Sequence, residues 1–124
     1  MLTESGITFS KIIVALGRTD LRCGVDGLAA RIRLQYGLDP LEKDTLFLFC
    51  GRRRDRLKGL LWCGDRFILL YIRLADGRFQ WPRTADEARH ISGRQFVQLM
   101  EGYSIDPSIG KPVSQPAPAI RKRS

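Results

Sequence analysis

Histidine and cysteine are scarce in this sequence: His90 is the only histidine, and Cys23, Cys50 and Cys63 are widely separated. A structural zinc site takes four nitrogen or sulfur ligands at close spacing, and no Cys-x-x-Cys unit occurs, which argues against a metal-organised fold. Three scattered cysteines make no disulfide framework either. Cys50 and Cys63 lie in apolar runs, where a free thiol behaves as a small core residue. Long apolar stretches are also lacking. The longest, Phe67 to Ile72, falls far short of the ~20 residues that span a bilayer, and Met1 to Gly6 lacks the basic start and apolar centre of a signal peptide. The expectation is a cytoplasmic chain with reduced thiols, no membrane segment, no metal and no cofactor. Acidic residues are in deficit, with thirteen Asp and Glu against twenty-one Lys and Arg, giving +8 and a pI near 10.0. Such an excess draws polyanions and speeds their encounter.

What is present suits one compact domain. A chain of 124 residues with 44% hydrophobic and 27% charged content has the composition of a globular protein. At this size it buries about two thirds of its unfolded surface without a staple. Phe9 to Leu16 is β-favouring around Ile12, Ile13 and Val14, and Gly17 ends it. Val25, Leu28, Ala29, Ile32 and Tyr36 then recur at the spacing of one helix face, with Gly37 and Pro40 as stop signals and either Asp20 or Asp26 as the cap. Leu46 to Cys50, Leu57 to Cys63 and Phe67 to Leu74 read as strands, the last two joined through Gly64 and Asp65. Asp76-Gly77 suits a tight hairpin into a further strand at Phe79 to Trp81. Trp62, Tyr71 and Trp81 are expected to pack within this meander.

Ser92 and Gln95 have the spacing of a capping box, bracketed by Ile91 and Phe96 as a hydrophobic staple. They predict a second helix over the sheet with Phe96, Val97, Leu99 and Met100 on its apolar face and Gly102 at its exit. After Tyr103 the composition shifts to proline and small polar residues ending in Arg121, Lys122 and Arg123. That segment has too little apolar surface to offset its ordering entropy. The sequence therefore predicts an α+β fold: a small antiparallel β-meander of three to five strands with two packed helices, over residues 1–103. A flexible basic tail over residues 104–124 completes it.

The densest chemical feature is Arg52, Arg53, Arg54, Arg56 and Lys58, with only Asp55 among them. Guanidinium groups on a loop pair with successive phosphates in a fork geometry that lysine lacks. Five such contacts would give a slope of about −4.5 in log K against log salt. The same cluster would also suit a merely solvated hairpin. Arg73, with Arg78 and Arg83, extends the patch if it lies on the sheet's open face. Catalytic signals are weak: Asp20, Asp26, Asp55, Asp65, Asp76, Asp86 and Glu87 are scattered beside glycine or arginine, where turn and cap residues belong. No P-loop occurs, and His90 has no evident nucleophile partner.

Two blocks carry a family resemblance. Thr19-Asp20-Leu21-Arg22, Gly24 and Asp26-Gly27-Leu28 form the first. The second runs from Leu46 to Phe49 through Gly51 to Asp55, Lys58, Leu61-Trp62, Gly64-Asp65, Leu70-Tyr71, Arg73-Leu74 and Gly77-Arg78-Phe79 to Trp81-Pro82. Together they resemble the signature of the TnpB accessory proteins of the bacterial insertion-sequence family numbered sixty-six. Departures are Cys23 where lysine is common, Val25 where an aromatic is usual, and Ala75-Asp76 in place of a charged pair. The resemblance implies a non-catalytic protein that accompanies a separate transposase, with Asp20, Arg22, Asp26 and Asp55 as motif positions. On this reading the chain supports DNA transposition by binding DNA through Arg52, Arg53, Arg54, Arg56, Lys58 and Arg73. The alternative is an adaptor that binds the transposase without touching DNA.

Overall fold

The β-branched run at the start of the chain forms β1 (Lys11–Ala15), and its four apolar residues are all buried. The computed structural model describes residues 8–82 and 87–103; the expected tail, Arg83 and Asp86 lie outside the described residues. After β1 come α1 (Val25–Leu34), β2 (Thr45–Cys50), β3 (Arg56–Trp62), β4 (Phe67–Arg73), β5 (Ala88–Ile91) and α2 (Gly93–Met100). The fold is α+β, a single five-stranded sheet in the order β4-β3-β2-β1-β5.

The expected meander is β2, β3 and β4, antiparallel throughout. The sheet as a whole is mixed, because α1 carries the chain back over it and lets β2 pair parallel to β1, Ile13 facing Phe47. Side chains alternate between the two faces of a strand, so β2 serves two cores. Phe47 and Phe49 pack with Ile13, Leu60 and the α1 residues Leu28, Ala29 and Ile32. Leu46 and Leu48 pack with Ile12, Val14 and Leu99 of α2. All six residues of β2 are therefore buried, as its unbroken apolar run predicts.

Several expectations are corrected. Phe79 to Trp81 is not a strand. The chain bends at Gly77, at φ +81, and Phe79 donates its amide to the Arg54 carbonyl at 2.7 Å. Trp81 donates its indole N–H to the Ala15 carbonyl at 2.9 Å. Both aromatics are buried in the core shared with α2, and that burial outweighs an edge ladder along β4. The fifth strand is instead Ala88–Ile91, antiparallel to β1, with His90 opposite Ile13. Four residues holding Arg89 and His90 carry no strand pattern of their own; pairing with β1 makes them one.

The cap of α1 is Gly24, with no side-chain hydrogen bond, so neither Asp20 nor Asp26 fills that role. Asp26 sits in the first turn, where a carboxylate complements the helix dipole. The helix ends at Leu34, two residues before the expected Tyr36. In α2 the capping box is complete, with Gln95 N–H donating to Ser92 Oγ at 3.0 Å and Ser92 N–H to Gln95 Oε1 at 2.9 Å. So short a helix buries a single stripe, Gln95 and Leu99, which leaves Val97 exposed rather than on the apolar face. Phe96 meets Phe9 edge-on, centroids 6.0 Å apart. Tyr71 is exposed, not packed, because α1 does not extend over β4. Among the described residues no helix is long and apolar enough to cross a membrane.

Candidate functional site

The two sequence blocks meet in space. The amide of Thr19, just after β1, donates to the Cys50 carbonyl at the end of β2 at 2.9 Å. Gly51 then lies so close to Leu21 that a Cβ at position 51 would stand 3.0 Å from Leu21 Cδ1. From the other side, Lys58 reaches back to donate to the Cys23 carbonyl at 3.0 Å. A side chain at 51 would thus have to displace Leu21 by a few tenths of an ångström.

The arginine loop is held from behind by the backbone. Gly51 N–H donates to the Arg56 carbonyl, and Arg54 N–H donates back to Gly51. The carbonyls of Asp55 and Arg54 accept from Leu74 and Phe79, at 2.8 and 2.7 Å. Arg54 adopts φ +64, a left-handed conformation costing a non-glycine residue roughly 1–2 kcal/mol. The loop's shape is therefore fixed by its neighbours, and Arg52 and Arg53 project from it into solvent.

An open groove of about 1100 Å³ runs between the blocks. One wall is the motif loop, with Arg18, Thr19, Asp20 and Arg22; Arg31 of α1 joins it. The opposite wall is Arg52 and Arg53 of the loop with Arg56 and Lys58 of β3, and Leu69 and Tyr71 of β4 close the far side. Seven cationic side chains and a single carboxylate line it, so its field is strongly positive. A smaller depression on the loop's other flank is lined by Arg52, Arg53, Arg54, Asp55, Gly77 and Arg78.

Several of these charges already have partners. Arg22 makes a two-pronged pair with Asp20, Nε to Oδ1 at 3.0 Å and Nη2 to Oδ2 at 2.9 Å. Its amide also donates to that carboxylate. The Arg22 side chain, then its amide, lowers the Asp20 pKa to about 2. Arg56 is clamped on Asp55, Nε to Oδ1 at 3.0 Å, and this hydrogen bond lowers the Asp55 pKa and raises that of Arg56. Arg31 donates to Gln35. Among the described residues, Arg18, Arg52, Arg53 and Arg54 carry no ion pair.

Of the expected residues, the groove brings together Arg52, Arg53, Arg56 and Lys58 with Asp20 and Arg22. Asp55 lies behind it as the partner of Arg56, and Arg54 turns to the other flank. Arg73 is exposed opposite Arg56 in the β3–β4 register but does not line the groove. Asp26 stays on α1, outside it. Sequence reasoning missed Arg18, Arg31, Leu69 and Tyr71. For Tyr71 a signal existed: a two-residue Gly64-Asp65 turn fixes the register and sets Tyr71 opposite Lys58. The Thr19 hydroxyl is buried and has no hydrogen-bond partner among the described residues. Among the described residues, no three of His, Cys, Asp and Glu cluster to hold a metal.

Fold and groove define a small basic α+β protein organised around one cationic cleft. The chain belongs to the family described as IS66 Orf2 like protein, whose model matches residues 10–109 and so spans both sequence blocks. This is a family of transposon-associated insertion-sequence accessory proteins, not a known enzyme class. The chain is similar to two uncharacterized proteins of Sinorhizobium fredii. With y4hO it is 38% identical over 92 residues, 74% of this chain and 79% of the relative. With y4jC it is 35% identical over 106 residues, 86% and 90% of the two chains. No solved structure matches.

Proposed function

We propose that this accessory protein supports transposition by binding DNA through the arginine loop and the groove beside it, chiefly by phosphate contacts. The observation that carries the reading is the state of Arg52 and Arg53: exposed, without an ion pair among the described residues, and mounted on a loop whose backbone is already fixed. Binding then needs no further ordering of the loop's backbone, and the two charges are not neutralised by a carboxylate among the described residues. Arg56 and Lys58 contribute mainly position, since each is engaged within the fold. The short helices α1 and α2 offer no recognition-helix pattern, so base readout is not part of the proposal.

The test is a titration of the protein against labelled element-end and scrambled duplexes at several salt concentrations. Each phosphate contact gives a slope of about −0.9, so replacing Arg52, Arg53 and Arg54 together by alanine should flatten it by up to about 2.7. Binding should weaken on both duplexes alike. Binding that survives the triple substitution, or no binding at low salt, removes the proposal.

A second reading has its own observation. Among the described residues the outer edge of β4 has no strand partner, and Leu69 and Ile72 are exposed along it. An open edge accepts an added strand from a partner protein, which suits an adaptor that binds the transposase. Capture by purified transposase, unaffected by the arginine-to-alanine triple variant and without measurable DNA affinity, would favour that reading.

A further inference from the structure

We infer that the groove is built for unpaired rather than duplex DNA, with Tyr71 as the surface on which an extruded or single-stranded base stacks. The inference rests on the proposed DNA-binding reading and names its substrate. Phosphate attraction alone needs only charge along the groove. Here an apolar and aromatic strip lies beside the charges instead: Tyr71 is 52% exposed and Leu69 36%. They alternate along β4 and so share the face that carries Lys58 and Arg56 across the register.

The Lys58 ammonium sits over the ring of Tyr71, 5.9 Å from its centroid. Half of the tyrosine surface nevertheless remains open to solvent. An aromatic ring with an open side, in a groove that also holds Arg18, Arg52 and Arg53, which make no ion pair among the described residues, is the arrangement by which sheets hold single strands, since every base has a π-face and the cations track the backbone. In a duplex those faces are already stacked on each other. The cleft volume, about 1100 Å³, exceeds the ~300–1,000 Å³ of small-molecule pockets, leaving room for a base with its flanking phosphates.

The experiment compares a short labelled oligothymidine with a duplex of the same length, using the full chain, with Tyr71→Ala, Tyr71→Phe and the Arg52, Arg53 and Arg54 triple variant beside it. Thermal unfolding confirms that each variant is folded. Charge alone favours the duplex, whose phosphate density is higher. Stacking reverses this: the single strand binds about tenfold or more tighter, Tyr71→Ala abolishes the difference, and Tyr71→Phe keeps most of it. A duplex bound as tightly as the single strand overturns the inference, as does a single-strand preference that survives Tyr71→Ala. In both cases loss of binding in the triple variant leaves the phosphate-binding reading standing. If the protein binds neither nucleic acid at low salt, both fall together.

Discussion

The ammonium of Lys58, on β3, lies 3.0 Å from the carbonyl oxygen of Cys23, thirty-five positions earlier in the chain. One long side chain thus ties the loop before α1 to the strand that follows the arginine loop. It sets the spacing of the groove walls, and its ammonium also faces the Tyr71 ring. A residue that looks in the sequence like one more phosphate contact serves first as a strut.

Replacing Lys58 by methionine keeps the aliphatic stem and removes the donor. The expected loss is about 1.5–3 kcal/mol, the range for a hydrogen bond from a charged group, read as a lower urea midpoint with an unchanged slope. An unchanged midpoint would show that the tie contributes nothing.

The Asp20–Arg22 pair has a pH signature. The Asp20 pKa in the fold is about 2, below the ordinary 3.8, so as pH falls the unfolded chain takes up this proton first. The pair's contribution is present above about 3.8 and disappears as pH drops toward 2. Carbon NMR titration of the Asp20 carboxyl should show the low value, and Arg22→Ala should return it toward 3.8. In the DNA titration, Asp20→Asn frees Arg22 and should steepen the salt slope by about 0.9 if that guanidinium then meets a phosphate.

Gly27 lies in the first turn of α1, where alanine would ordinarily gain up to about 1 kcal/mol of helix propensity. A Cβ there would stand 2.8 Å from Cys23 Cβ, a separation that forces the motif loop to shift. Gly27→Ala is therefore expected to lower stability by about 1 kcal/mol or more, against the propensity trend. A rise in the denaturation midpoint would mean that the Cys23 loop yields freely.

Trp81 fixes the segment that crosses behind the arginine loop. Trp81→Phe retains a ring in the core and loses the indole bond to Ala15, at an expected cost of about 1–3 kcal/mol. A fall in melting temperature, with Arg52 and Arg53 still able to bind DNA, would assign the residue to folding alone. Collapse of DNA binding in a folded variant would instead show that the loop depends on this brace.

Much of the molecule could be read locally. The period-three-and-four spacing from Val25 to Tyr36 located α1, the Ser92–Gln95 pair located the start of α2, and three apolar runs located the meander. Each of these signals lies within a dozen residues, where backbone geometry and side-chain chemistry act without distant help. The arginine cluster was visible for the same reason. Phe79 to Trp81 misled because alternation identifies a segment able to pair, while pairing depends on whether a better burial exists elsewhere.

The sequence alone determined the charge, the family and the helices and strands up to β4. Tertiary structure decided which charges are free. Asp20 neutralises Arg22 beside it and Asp55 neutralises Arg56, but which neighbouring arginine each carboxylate selects depends on turn geometry and not on adjacency. It likewise decided that Tyr71 faces solvent, because exposure belongs to whatever covers a strand and α1 stops short of β4. The meeting of the Thr19 loop with the arginine loop rests on contacts thirty or more residues apart. No local pattern encodes these, since a chain closes such distances only when both cores form together.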